Sequence, residues 1–335
     1  AFAVTQAPRP PMPRTPALLL LALLAAAAIV ASVSFGSTGT GPVELWQRAL
    51  VDHDAVARAI LFDLRLPRAA TAFATGAALA LAGVLMQVLL RNPLADPYVL
   101  GVSGGAAVAA LGAMLAGLAG LWIDLGAAAG ALGAMWLVFA LAHGPGGWTP
   151  SRLLLTGIVV AAGCSAAVSL MLALADEGPV RGMLFWLMGD LGYAGMPWPA
   201  LGAVALAAPA CIALSRPLDV LARGDVQASI VGLPVKPLRT GVYVGASLLT
   251  AVAVTTAGSI GFVGLVTPHL VRLALGSSHR VVVPASVLAG GILVTLADVV
   301  ARTAVAPRQL PVGALTALVG VPLFLMLMRR QRRVG

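Results

Sequence analysis

Charge is what this sequence lacks. Only 10% of its 335 residues are Asp, Glu, Lys or Arg, against roughly 25% in a soluble domain. So few ionic groups cannot cover a globular surface, which excludes an ordinary water-soluble fold. Lysine is almost missing, with Lys236 alone in the whole chain. The Gly-x-x-x-x-Gly-Lys-Ser/Thr loop that cradles nucleotide phosphates is absent with it, so the chain does not bind ATP through a P-loop. The two cysteines, Cys164 and Cys211, lie inside apolar runs and have no metal-ligand spacing, so they read as small packing residues. Paired carboxylates, a nucleophile elbow and a metal cluster are all missing from the apolar runs, which argues against a membrane enzyme. The net charge of +9 would suggest nucleic acid in a soluble chain. Here the basic residues sit at the ends of apolar runs and do not interleave with aromatics, so no nucleic-acid partner is expected. Positive charge at one membrane face accounts for them.

What the chain has in abundance is apolar length. Sixty per cent of it is hydrophobic and the mean hydropathy is +0.98. A helix needs about 20 residues to cross about 30 Å of hydrocarbon. On that basis the sequence divides into ten spans, at roughly 17–35, 68–90, 97–117, 121–142, 152–175, 197–215, 238–257, 260–275, 282–301 and 312–328. The expected fold is an all-α integral membrane protein, a compact bundle of about ten transmembrane helices forming a single domain over residues 1–335. The first run follows Arg9 and Arg14 like a signal peptide, but its length and lack of a cleavage pattern favour a retained helix. With the N-terminus cytoplasmic, inner segments hold fourteen Lys and Arg with three acidic residues, and outer segments hold seven with nine. The positive-inside rule therefore places both termini in the cytoplasm, with the basic run after residue 328 as an anchor to anionic lipid.

Small residues recur at intervals of four, at Ala72, Gly76 and Ala80 and at Gly126 and Gly130. Lipid supplies no hydrophobic drive for helix association, so close backbone approach at such positions has to hold the bundle together. Four further segments stand out. Arg65-Leu66-Pro67-Arg68 opens the second span, with proline suited to a first helical turn. Its arginines are either snorkelling caps or a docking point for acidic groups outside. Arg91-Asn92-Pro93-Leu94-Ala95-Asp96-Pro97 is a tight inner turn. Residues 216–239 form the longest cytoplasmic loop, able to hold one or two short amphipathic helices broken at Gly224 and capped at Gly232. Such helices lie either on the membrane or in a partner's groove. Gly258 to His269 carries three glycines at intervals of three, with Pro268 removing a backbone hydrogen bond. His269 reads as a hydrogen-bonded structural group rather than a ligand.

The chain resembles the permease subunits of type II ABC importers, the group that carries haem, ferric siderophores and vitamin B12. The likeness runs in order through Arg65-Leu-Pro-Arg68, Gln87, Asn92-Pro-Leu-Ala95, Gly101-Val-Ser-Gly104, Ser151-Arg-Leu-Leu-Leu155, Trp186-Leu-Met-Gly189, Gly224 to Leu233, Gly258 to His269, Ala297-Asp298 with Ala301-Arg302, and Leu310-Pro-Val-Gly313. The resemblance implies a homodimer in the bacterial inner membrane on a dimer of ATP-binding cassette ATPases, with a periplasmic binding protein delivering cargo. No cofactor is bound permanently, and ATP is used by the partner subunit. The resemblance also implies that Arg65, Arg68 and Arg302 meet acidic groups of the binding protein. It implies that Leu221, Arg223, Gly224, Asp225, Ala228, Gly232 and Leu233 belong to coupling helices seated on the ATPase. The fifth span would line the central path, where it offers Ser165, Ser169 and Met171, with Met183 and Met188 following. An apolar lining bearing methionines suits a flat macrocycle such as haem, with ferric siderophore and vitamin B12 as alternatives. The rival from another class is an ion-coupled secondary transporter, for which Asp298, near the outer end of the ninth span, is the one real candidate.

Overall fold

Backbone contact at small residues organises the bundle. The computed structural model describes residues 14–37, 41–144, 147–192 and 197–331, with side chains to residue 326. Arg9, Arg332 and Arg333 lie outside the described residues. At the centre is helix α4 (Leu66–Leu89), 24 residues long, buried over nearly all of its length. A Cβ at Gly76 would land on the Gly290 carbonyl, and one at Gly83 on the Gly264 carbonyl. Gly105 and Gly130 exclude each other's Cβ in the same way. The four-residue spacing at Ala72, Gly76 and Ala80 therefore marks a helix–helix seam, as expected, and Gly290 is its unforeseen partner.

Around α4 the chain runs through α1 (Arg14–Ser34), α2 (Pro42–Leu50), α3 (Ala55–Arg58), α5 (Val102–Leu115), α6 (Leu121–Ala142), α7 (Pro150–Leu174), α8 (Glu177–Leu187), α9 (Trp198–Ala213), α10 (Ser215–Leu221), α11 (Asp225–Ile230), α12 (Val235–Ala257), α13 (Val263–Leu275), α14 (His279–Thr303) and α15 (Val312–Gln331). Helices α1, α12, α13 and α14 pack on α4, and α5, α6 and α7 form a neighbouring layer. Among the described residues there is no β-strand. All ten expected spans appear as apolar helices. Six are long enough to cross a membrane, a seventh is the α9–α10 pair bent by 71°, and the shorter three are α5, α13 and the apolar part of α15.

The differences have physical causes. The second span starts thirteen residues early, because α3, a π-helical turn (Ala59–Arg65) and α4 run as one helix from Ala55. Asp54 starts it by accepting the Val56 and Ala57 amides. The third span loses its first turn to a 3-10 turn (Pro97–Leu100) ended by Gly101 at φ +74°. The eighth begins at Val263 because residues 258–262 are non-helical, with Gly258 and Phe262 at φ +67°. Two helices, α2 and α8, were not expected at all. Helix α2 buries Leu45 and Ala49, four apart, and ties itself to α1 when Trp46 Nε1 donates to Ser34 Oγ at 2.9 Å.

Candidate functional site

The first arrangement sits where α1 ends. The last carbonyls of a helix lack partners within it, and here two arginines supply them. Arg65 Nη1 donates to the Val33 and Ser34 carbonyls at 3.1 and 2.7 Å. Arg302 Nη2 donates to the Ser32 carbonyl at 3.0 Å, and its Nη1 to the Phe35 carbonyl at 3.2 Å. Cations at a helix C-terminus also suit its dipole. Both side chains are thereby drawn into the protein, Arg65 being 6% and Arg302 4% exposed. Asp298, with no exposed surface, joins the cluster. Arg68 reaches it through Nη2 at 2.8 Å and Arg302 through Nε at 3.0 Å. All three arginines nevertheless line one depression of about 360 Å3, whose rim includes Asp63 and Gln309.

The second arrangement is the break between α12 and α13, where motifs far apart in sequence meet. The Tyr98 hydroxyl donates to the Ile260 carbonyl and accepts from the Ile260 amide, both at 3.0 Å. The Asp190 amide donates to the Ala257 carbonyl at 3.0 Å, and the Val312 amide to Gly189 at 2.9 Å. A Cβ on Gly258 would meet the Trp186 carbonyl, and one on Gly313 the Met188 carbonyl. Lower down, Pro268 leaves the Gly264 carbonyl without its i+4 donor. Gln87 Nε2 answers it at 3.4 Å and reaches Leu265 at 3.2 Å. His269 differs from expectation: it is buried and its Nδ1 has no hydrogen-bond partner among the described residues.

The third arrangement is the loop at 216–239. It forms two short helices, as the glycines suggest. Gly224, at φ +129°, separates α10 from α11. Gly232, at φ +79°, ends α11 with the Leu233 amide donating to Ala228 at 3.0 Å, the Schellman closure. Leu221, Gly224 and Ala228 face inward and Arg223 faces out. Asp225 is held by Arg239 Nη1 at 3.1 Å. Arg239 in turn lies 4.1 Å over the Trp148 ring, which packs with Phe139 and Tyr243. The outward face carries Val226 and Ile230, 72% and 79% exposed. Sequence reading missed these two, although their i, i+4 spacing was visible.

The fourth is α7, whose apolar surface this chain leaves almost wholly uncovered. Ser165 and Ser169 share one exposed face, with Ser169 Oγ donating to the Ser165 carbonyl at 2.9 Å. Met171 does not join them. It projects to another side of the helix, where its methyl approaches Gly112 of α5. Met183 is fully buried, whereas Met188 is exposed.

Comparison with known proteins agrees with this architecture. The FecCD transport family model matches residues 22–330. The hemin transport system permease protein HmuU of Yersinia pestis is 39% identical over 313 residues, covering 90% of this chain and 92% of the relative. The vitamin B12 import system permease protein BtuC of Salmonella typhimurium is 40% identical over 281 residues, covering 82% and 84%. A solved inward-facing conformation of a metal-chelate type ABC transporter superposes with a TM-score of 0.82 at 31% identity, covering 95% of this chain and 99% of that one. A multi-pass bundle with these motifs in this order, matched over nearly its whole length, belongs to the FecCD transport family.

Proposed function

We propose that the chain is one of two identical permease subunits of an ATP-driven importer that carries a bulky metal chelate, haem foremost, from periplasm to cytoplasm. The observation that carries this reading is α11, a six-residue helix pinned to the bundle by Asp225 and Arg239 while Val226 and Ile230 point away from it. A chain without a P-loop needs its energy from another, and this is the rigid handle for it. Closure of an ATPase dimer on both copies would tilt each bundle as a body and open the path between facing α7 helices alternately outward and inward. Ser165 and Ser169 would face that path and Met171 would brace α7 against α5. The mouth depression with Arg65, Arg68 and Arg302 would receive an acidic binding protein, with both termini in the cytoplasm.

Haem is favoured over ferric siderophore and vitamin B12 by the uncovered apolar face of α7 and by the extent of the match to a hemin permease. An ion-coupled carrier is disfavoured, because Asp298 is already held by two guanidiniums and has no coordination to offer a passing ion. The test is reconstitution in vesicles with the ATPase and binding protein. ATP should drive haem accumulation without an ion gradient, while Gly232→Val should uncouple hydrolysis from transport. Gln309→Glu, on the exposed rim, should weaken binding-protein docking. Uptake of a siderophore or cobalamin instead would overturn the cargo, and uptake driven by a gradient alone would overturn the mechanism.

A further inference from the structure

A second basic site lies at the end of the bundle that holds α10 and α11. A cavity of about 170 Å3 opens between α4, α10, α13 and α14. At ~30 Å3 per liquid water, it has room for a phosphate group and a few waters. Arg91, Arg272, His279, Ser277 and Gln87 supply its polar lining, and no carboxylate lines it.

The two guanidiniums are incompletely balanced from within. The nearest carboxylate to Arg91 is Asp225 at 4.0 Å, which Arg239 engages more closely at 3.1 Å. Among the described residues Arg272 has no carboxylate partner. Its Nη1 donates to Gln87 Oε1. His279 meets Asp219 Oδ1 through Nδ1 at 2.5 Å, and its backbone amide donates to the same oxygen at 2.9 Å. The ring's other nitrogen, Nε2, is buried without a partner in a residue only 3% exposed. His279 is also the first residue of the 25-residue helix α14, so the positive end of that helix dipole stands at the cavity.

Arg91 is exposed, but Arg272 is half-buried, and a partly desolvated cation without a counter-charge is costly. One ligand with several acceptor oxygens could serve both guanidiniums and the serine hydroxyl from different sides. Val88, Pro93 and Ala222 supply the apolar part of the cavity's lining. Basic pockets between membrane helices at the cytoplasmic face take phospholipid headgroups. We propose that this cavity binds one phosphate group, carried by an anionic phospholipid, which ties the α10–α11 segment to α13 and α14. Only the choice of leaflet rests on the orientation proposed above.

The test uses the purified permease without ATPase, so that failed import leaves it unaffected. In nanodiscs of phosphatidylcholine, adding phosphatidylglycerol should raise the unfolding midpoint in a saturable way. Native mass spectrometry should retain one anionic phospholipid per chain. Arg272→Gln should weaken that binding tenfold or more. Because Arg272→Gln removes a hydrogen bond and could disturb folding, Ser277→Glu is the second variant. It places a tethered carboxylate at the rim and should retain no lipid and show no phosphatidylglycerol response while remaining folded. Inorganic phosphate in phosphatidylcholine discs separates the sources. Stabilisation by phosphate but not by phosphatidylglycerol would assign the site to the free ion and overturn the lipid carrier. No response to either in the wild type, or an equal response in wild type and Ser277→Glu, would overturn the site.

Discussion

Replacing Asp298 with alanine tests the buried cluster at the end of α1. Asp298 has no exposed surface, and the Arg68 and Arg302 side chains that grip it are 15% and 5% exposed. Removing one partner of a buried ion pair costs about 3–5 kcal/mol, because the charge left behind is neither hydrated nor paired. Arg302 keeps its bonds to the Ser32 and Phe35 carbonyls, and Arg68 keeps Gln309 at 3.2 Å. These residual acceptors place Asp298→Ala near the lower limit, about 3 kcal/mol. That is well above the ~0.6 kcal/mol average for an interhelical hydrogen bond in a membrane. Asp298→Asn keeps an acceptor of the same shape and should lose less. The double variant Asp298→Leu with Arg68→Met removes a charge of each sign and should recover part of the loss. Equilibrium unfolding of the purified permease in nanodiscs measures all three. If Asp298→Ala falls within ~0.6 kcal/mol of the wild type, the cluster is hydrated and the reasoning fails.

Gly83→Leu drives a side chain into the Gly264 backbone and should cost at least the ~1–3 kcal/mol of core overpacking. Gly133→Ala, with nothing within 4 Å of its added carbon, should be neutral in the same equilibrium-unfolding assay. Gln87→Leu strands the Gly264 carbonyl and also removes the acceptor of Arg272, at a cost of at least about 1–3 kcal/mol. Adding Pro268→Ala restores the helical donor to Gly264 and should return part of it, so additivity of the two losses would argue against the pairing. In the turn after α4, burial pushes the Asp96 carboxyl up to about 6, against the stabilising hydrogen bond from the Tyr98 amide. A carboxyl raised by folding contributes stability below its unfolded value, and this is lost as pH rises through about 6. Asp96→Asn keeps the cap and should flatten that slope, so an unchanged stability–pH profile between about 4 and 6 would contradict the burial.

Legibility followed the range of the interaction. Residue composition alone, poor in charge and rich in apolar runs, determined that the chain is a multi-pass membrane bundle of about ten apolar helices. Local rules located the break at Gly224 and the cap at Gly232, since each depends on a few neighbouring dihedrals, whereas Pro67 lies inside a helix that runs on from Ala55. The glycine spacing identified seams but not their partners, because Gly76 meets Gly290 and Gly83 meets Gly264 only after the chain has folded back on itself. The fate of charge was likewise tertiary. Nothing near Arg65 or Arg302 in sequence announces that each serves carbonyls of α1, or that Asp298 is held by Arg68 from 230 positions away. Met171 looked like a neighbour of Ser165 and Ser169, yet six residues at about 100° each turn it to another side. Whether a polar group is a free handle or an internal brace depends on which helix stands opposite, and packing alone decides that.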